Sequence, residues 1–229
     1  MIIRNVLLAT LLVSPLTAQA QADNTIDVSR IRTIVIKGDP TDISVTTRQN
    51  EPYAANVTDR REGWFGRIRS FWADYPCGAA SKMQVDGDIL TITITSDMPG
   101  CRPTLKANVP QAATISIEQA AAKIALSGTF VNVSLKSDAA DFNFNGEAQT
   151  ISAEGNALKV RIAFTAVHNN ETVSLHSSVM DAEVNFGGAK AICYRVDAVA
   201  SMIDSRYQNT PGAKPEVYVK ADKAKISLQ

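Results

Sequence analysis

The chain has 229 residues, with 23 Lys and Arg against 23 Asp and Glu, so its formal net charge is zero. A neutral chain exerts no general pull on nucleic acid or anionic lipid, and any electrostatic recognition has to be local. With 45% hydrophobic residues and only 2 histidines, the composition suits a folded domain with a real core and disfavours a histidine-built metal centre.

Residues 1–20 read as a secretory signal peptide. Arg4 supplies the positive start, Val6–Leu16 a short apolar run, and Ala18-Gln19-Ala20 the small residues of a cleavage site, after Ala20 or alternatively Ala22. No cysteine lies there to take a lipid, and no later stretch approaches the ~20 apolar residues of a membrane span. The expectation is an exported chain, periplasmic or extracellular, with residues 23–229 forming one domain.

The first periodic element pairs Ile34 and Ile36 with Ile43 and Val45, nine residues on, across the turn Gly38-Asp39-Pro40. A different pattern follows. In Asp59–Asp74, Trp64, Phe65, Ile68, Phe71 and Trp72 form a helical stripe, with Asp59 and Glu62 as a capping box and Pro76 beyond the end. Arg60, Arg61, Arg67 and Arg69 populate mainly the other side. The spacing predicts an inserted amphipathic helix over 59–74 that caps one end of the fold. Its alternative role is an interface for a membrane surface or for sugars, and Arg61, Trp64, Phe65, Arg67, Arg69 and Trp72 are the candidate binding residues.

Cys77 and Cys101 bracket a segment that folds back around Gly87, with Met83 and Val85 answered by Ile92 and Ile94. A disulfide closing that loop would contribute about 3–4 kcal/mol by loop entropy. Thr91, Thr93 and Thr95 alternate with the isoleucines as one solvated strand face. Pro99–Pro110 falls out of phase and predicts a bend.

From Gln111 to Ile162 the chain repeats every nine residues. One inward position reads Ile115, Ile124, Val133, Phe142, Ile151, Val160, and a second reads Ile117, Leu126, Leu135, Phe144, Ala153, Ile162. The residues between them, such as Ser116, Ser134, Asn143 and Arg161, are mostly polar, so each unit is a short strand with one face in. A fixed short period predicts an all-β chain, a single-stranded β-solenoid whose coils of about 18 residues carry two strands each. Gly128 and Gly146 are expected at equivalent turns.

Downstream, the step continues through Val173/Leu175, Ala182/Val184, Ala191/Cys193, Ala200/Met202, Val217/Val219 and Ile226/Leu228, which makes Cys193 a small buried hydrophobe. Ala163–Glu171 inserts four residues and Gln208–Glu216 is a loop. The final strand, Ala224–Leu228, reads as an open edge flanked by Lys220, Lys223 and Lys225, a possible self-association surface.

The opening pair Thr33–Ile36 and Asp42–Val45, the segment Val85–Ile92, and serial strands such as Val131–Leu135 and Asp141–Gly146 together resemble the bacterial putative-adhesin family of unknown function, whose β-solenoid is called a toastrack. The resemblance covers roughly Ile26 to Leu228 apart from the Arg/Trp segment. It implies a secreted or envelope-associated domain linked to adhesion or envelope stress, and it supplies no catalytic residues.

Residue chemistry points the same way. His168 and His176 are eight apart with no converging ligands, Asp138 and Asp141 flank a turn, and no phosphate loop or nucleophile elbow occurs. No catalytic residue, metal or cofactor is expected. The reading is an exported non-enzymatic binding or cell-envelope interaction module with a protein or glycan partner. Its rivals are a peripheral membrane protein acting through residues 59–74 and a polysaccharide-active enzyme.

Overall fold

A computed structural model describes residues 25–61, 81–96 and 101–229. They contain eleven strands and no helix: β1 (Thr25–Asp27), β2 (Thr33–Gly38), β3 (Thr41–Thr46), β4 (Ala54–Arg61), β5 (Lys82–Asp86), β6 (Ile89–Ile94), β7 (Cys101–Asn108), β8 (Ala113–Phe164), β9 (Thr172–Asn185), β10 (Cys193–Ser205) and β11 (Glu216–Leu228). All eleven join in one sheet.

The pairing is mostly parallel and sets equivalent positions side by side. Ile34 and Ile36 lie opposite Ile115 and Ile117, while Ile43 and Val45 lie opposite Ile124 and Leu126. Consecutive strands β2 and β3 thus pair with successive stretches of β8. Ile151 and Ala153 lie opposite Val173 and Leu175, a step of 22 instead of 18 that takes up the four inserted residues. All twelve inward positions of the 111–162 repeat are at most 2% exposed, and the residues between them remain at the surface.

Glycine is required where the turns stack. Gly128 has φ +119° and Gly146 φ +154°, and a Cβ on Gly146 would lie 1.9 Å from the Gly128 carbonyl oxygen. Aromatic rings run along the same end of the repeats. Phe130, Phe144, Phe164 and Phe186 touch in sequence at centroid distances of 6.1, 5.9 and 5.3 Å, and Tyr207 meets Phe186 edge-on at 6.3 Å.

Four expectations are corrected. Asp59, Arg60 and Arg61 are strand, paired with Pro103, Arg102 and Cys101, so no helix starts at Asp59; residues 62–74 lie outside the described residues. The nine-residue spacing of Met83 and Ile92 arises because β5 and β6 are an antiparallel hairpin with those two opposite each other around Gly87. The row that continues Ile34 and Ile36 is therefore Leu90 and Ile92. The bend expected within Pro99–Pro110 does not fall in Cys101–Asn108, which forms β7, with Leu105 and Ala107 opposite Ile43 and Val45.

The remaining correction concerns the C-terminal part. Strand β11 is not an edge, for it pairs with β9 on one side and β10 on the other. At this end of the sheet the strand with one neighbour is β10. The loop containing Gly187 and Gly188 also shifts the phase there by three residues, Val173 to Tyr194 being a step of 21 instead of 18. Tyr194 and Val196 align with the inward Val217 and Val219, whereas Cys193 aligns with outward Glu216 and Met202 with outward Lys225. Cys193 is accordingly only half-buried, with a free thiol.

Candidate functional site

The outward positions form rows as regular as the core. On the face built by β2, β8, β9 and β11, Val35 lies opposite Ser116, and Ser152 lies opposite Ser174, which lies opposite Tyr218; Ser134 falls midway between Ser116 and Ser152 in the sequence. Beside them run Thr33, Thr114, Asn132, Thr150 and Thr172. The 18-residue step within β8 is visible at Asn156, whose amide donates to the Asp138 carboxylate over 3.1 Å. Neighbouring strands are about 4.8 Å apart, so this face carries side-chain hydroxyls at a nearly constant spacing.

Towards the turn the next row is charged and nearly alternating: Lys37, Glu118, Lys136, Glu154, His176, Lys220, Asp197. Across the turn lies a second such row, Asp42, Lys123, Asp141, Lys159, Asp181, Lys225. Arg102 approaches Asp42 to 2.9 Å, and Arg161 approaches Asp141 to 3.8 Å. Opposite charges on adjacent strands stabilise one register and penalise a slip by one strand. They also leave the surface nearly neutral.

Between the charged rows the turn forms a groove of about 400 Å³ lined by Gly38, Glu118, Gln119, Lys136, Ser137, Asp138, Glu154, Gly155 and Asn156. Small residues at the turn create it. Gly155 has no room for a Cβ, which would lie 2.0 Å from the Ser137 carbonyl oxygen. Ser137 and Ser177 turn their hydroxyls back onto the Ala139 and Val179 carbonyls at 3.0 and 2.7 Å. Gln119 differs from them: it is only 4% exposed, and neither Nε2 nor Oε1 has a hydrogen-bond partner. A buried amide needs an acceptor for its NH2 and a donor for its oxygen, and a water or a ligand hydroxyl can serve either.

The backbone of Arg61 ends β4, and Trp64, Phe65, Arg67, Arg69 and Trp72 lie outside the described residues, as does Cys77. His176 is exposed in the charged row. His168 sits in the inserted loop 3.2 Å from Glu147. That loop is organised by Glu171, 2% exposed, whose carboxylate accepts the backbone N–H groups of His168 and Asn170. Asp138 accepts from Asn156, a turn role. At the start of the fold, the Ser29 backbone N–H holds the Asp27 carboxyl below the usual carboxylate range. Gln119 and the charged rows were missed because outward positions were read singly; taken 18 apart, the alternation Glu118, Lys136, Glu154 stands in the sequence.

No family model and no curated protein sequence matches the chain. Solved structures similar to it include the following three. A "putative cell adhesion protein" from Clostridium sporogenes is 12% identical, with a TM-score of 0.41 over 88% of this chain and 93% of that one. A "putative adhesin" from Bacteroides fragilis is 13% identical, with a TM-score of 0.47 over 93% and 98%. A "putative adhesin" from Parabacteroides distasonis is 14% identical, with a TM-score of 0.31 over 90% and 96%.

Proposed function

We propose that the chain is an exported, non-enzymatic binding module of the cell envelope, adhesin-like in role. In this reading it is a β-solenoid of two-strand coils of about 18 residues that presents its hydroxyl face and the adjoining turn groove to an extended glycan or protein partner. The observation that carries it is the recurrence of one hydrogen-bonding group, the serine hydroxyl, at the 18-residue step 116, 134 and 152, with Ser152 opposite Ser174 on the next strand, over a fully buried core. Such a face is rigid, and a repeating partner meets the same groups at each step. Adjacent charge rows of both signs add local electrostatic recognition without a net field.

Export rests on the signal-peptide pattern of residues 1–20. A Cys77–Cys101 disulfide belongs to the same proposal: an exported chain meets an oxidising compartment, and Cys193 is the free thiol.

Binding of mature protein to isolated cell envelopes and to a panel of envelope polysaccharides tests the proposal, with a Ser134→Arg/Ser152→Arg variant as comparison. The expected result is saturable binding that the variant loses while its thermal midpoint is kept. Binding that survives in the variant, or no binding to any envelope fraction, refutes the assignment of this face.

A further inference from the structure

The sheet ends on β10. Its inward residues Tyr194, Val196, Ala198, Ser201 and Ile203 continue the core rows, yet among the described residues they are less covered than those of β11: Ile203 is 41% exposed, whereas Ile226 opposite it is 1% exposed. Backbone hydrogen bonds fix which groups point off the edge. Cys193 N–H donates to Pro215 and Arg206 N–H to Leu228, both towards β11. The alternate residues Tyr194, Val196, Ala198, Ser201 and Ile203 therefore direct N–H and C=O away from the sheet. At Tyr194 that demand is met by Asn209, whose side-chain oxygen accepts from the N–H at 3.0 Å and whose amide donates to the C=O at 2.8 Å. The open edge runs from Val196 to Ile203.

We infer that this edge is a self-complementary interface that joins two copies of the chain end to end about a two-fold axis at the Val199–Ala200 turn. The inference rests on the two-strand coil reading. In a coil, residues 193–198 and 200–205 form opposite faces, as the interruption of the β10–β11 pairing at Val199 indicates. A two-fold axis through the turn lays the first half of one β10 antiparallel on the second half of the other. Val196 then faces the partner's Ile203, and Ala198 the partner's Ser201. Each of these pairs joins two inward side chains and two residues with edge-directed N–H and C=O groups, so core and hydrogen-bond ladder continue across the interface together.

Charge selects this register. It places outward Arg195 opposite the partner's Asp204, twice by symmetry. A slip by two residues would set Arg195 against the partner's Arg206 and Asp197 against the partner's Asp204, like against like. The occupant of the edge is a second copy because the strand complements itself in side-chain direction, backbone polarity and charge at once.

Sedimentation of the mature protein over a concentration series, with Arg195→Asp, Asp204→Arg and the double variant, decides the matter. The expected result is a reversible dimer, weakened about tenfold by either single change and restored in the double variant, where the opposed charges are exchanged. Amide exchange at Val196, Ala198, Ser201 and Ile203 should slow as concentration rises. A monomer at every concentration, or a double variant as weak as the two single losses combined, overturns the inference. If the coil reading itself failed, the stability contrast between inward and outward residues of β8 would fail as well, which separates the two cases.

Discussion

Replacing Phe144 with alanine tests the phase of the whole repeat. Phe144 is 2% exposed, and its ring lies 6.1 Å from Phe130 and 5.9 Å from Phe164. Truncation removes a buried aromatic and leaves a cavity that backbone held on both sides by neighbouring strands closes poorly, a loss of about 3–5 kcal/mol. The two ring contacts place it towards the upper part of that range, each being worth roughly 0.5–1.5 kcal/mol beyond area. Phe142, fully buried, should fall in the same range. Asn143, between them, points outward, and Asn143→Ala should cost about 0.5 kcal/mol or less. Urea unfolding followed by tryptophan fluorescence and circular dichroism measures all three midpoints. Equal costs at 143 and 144, or a Phe144→Ala cost near 1 kcal/mol, would refute the inward rows on which the fold reading depends.

Gly146→Ala must move one turn against the next, since its Cβ would meet the Gly128 carbonyl, and should cost more than about 3 kcal/mol. Gly87→Ala, with φ +60° and open space around it, should cost only about 1–2 kcal/mol of backbone strain; equal thermal shifts would count against the stacked turns. Glu154→Lys sets a cation beside Lys136 and His176 and should cost about 0.5–1 kcal/mol at low salt, shrinking in 0.5 M salt as exposed charges are screened; a salt-independent loss would mean the charged row does not act as a ladder. Non-reducing peptide mapping of exported protein should recover Cys77 linked to Cys101 and Cys193 as a free thiol, and a bridge containing Cys193 would defeat that assignment.

The core was legible in the sequence because inward residues of a stacked strand must be apolar at every step. Ile115 to Ile162 obeys that rule without exception. The same rule could not give the stacking order. Val217/Val219 and Tyr194/Val196 both satisfy it, so the placement of β11 between β9 and β10 left no trace in the period. Its trace is in quality: β11 is apolar at all six inward positions from Val217 to Leu228, whereas β10 carries Ser201 and Ser205 on the corresponding row. A strand covered on one side tolerates such serines better than one covered on both. Asp59 misled for a related reason. Ionisable residues near a strand end and at a helix start look alike, and the pairing with β7 that settles the matter is a contact of long sequence separation.

The two ends of the sheet decide how far association can go. At the N-terminal end the chain reverses, with β5 antiparallel to β6 and β1 and β4 antiparallel to their neighbours. Those strands occupy the positions where a further parallel coil would add. At the C-terminal end β10 is parallel to β11 and ends openly except at Asn209. A head-to-tail stack would need the reversed end of one copy to receive β10 of the next, and it would repeat without limit, which is the geometry of fibres. A two-fold union through β10 instead uses the open edge of both copies and leaves the two reversed ends outermost. Assembly then stops at two. The charges on and just after β10, Arg195, Asp197, Asp204 and Arg206, serve that closure in one register and oppose it when the strands slip towards Arg206.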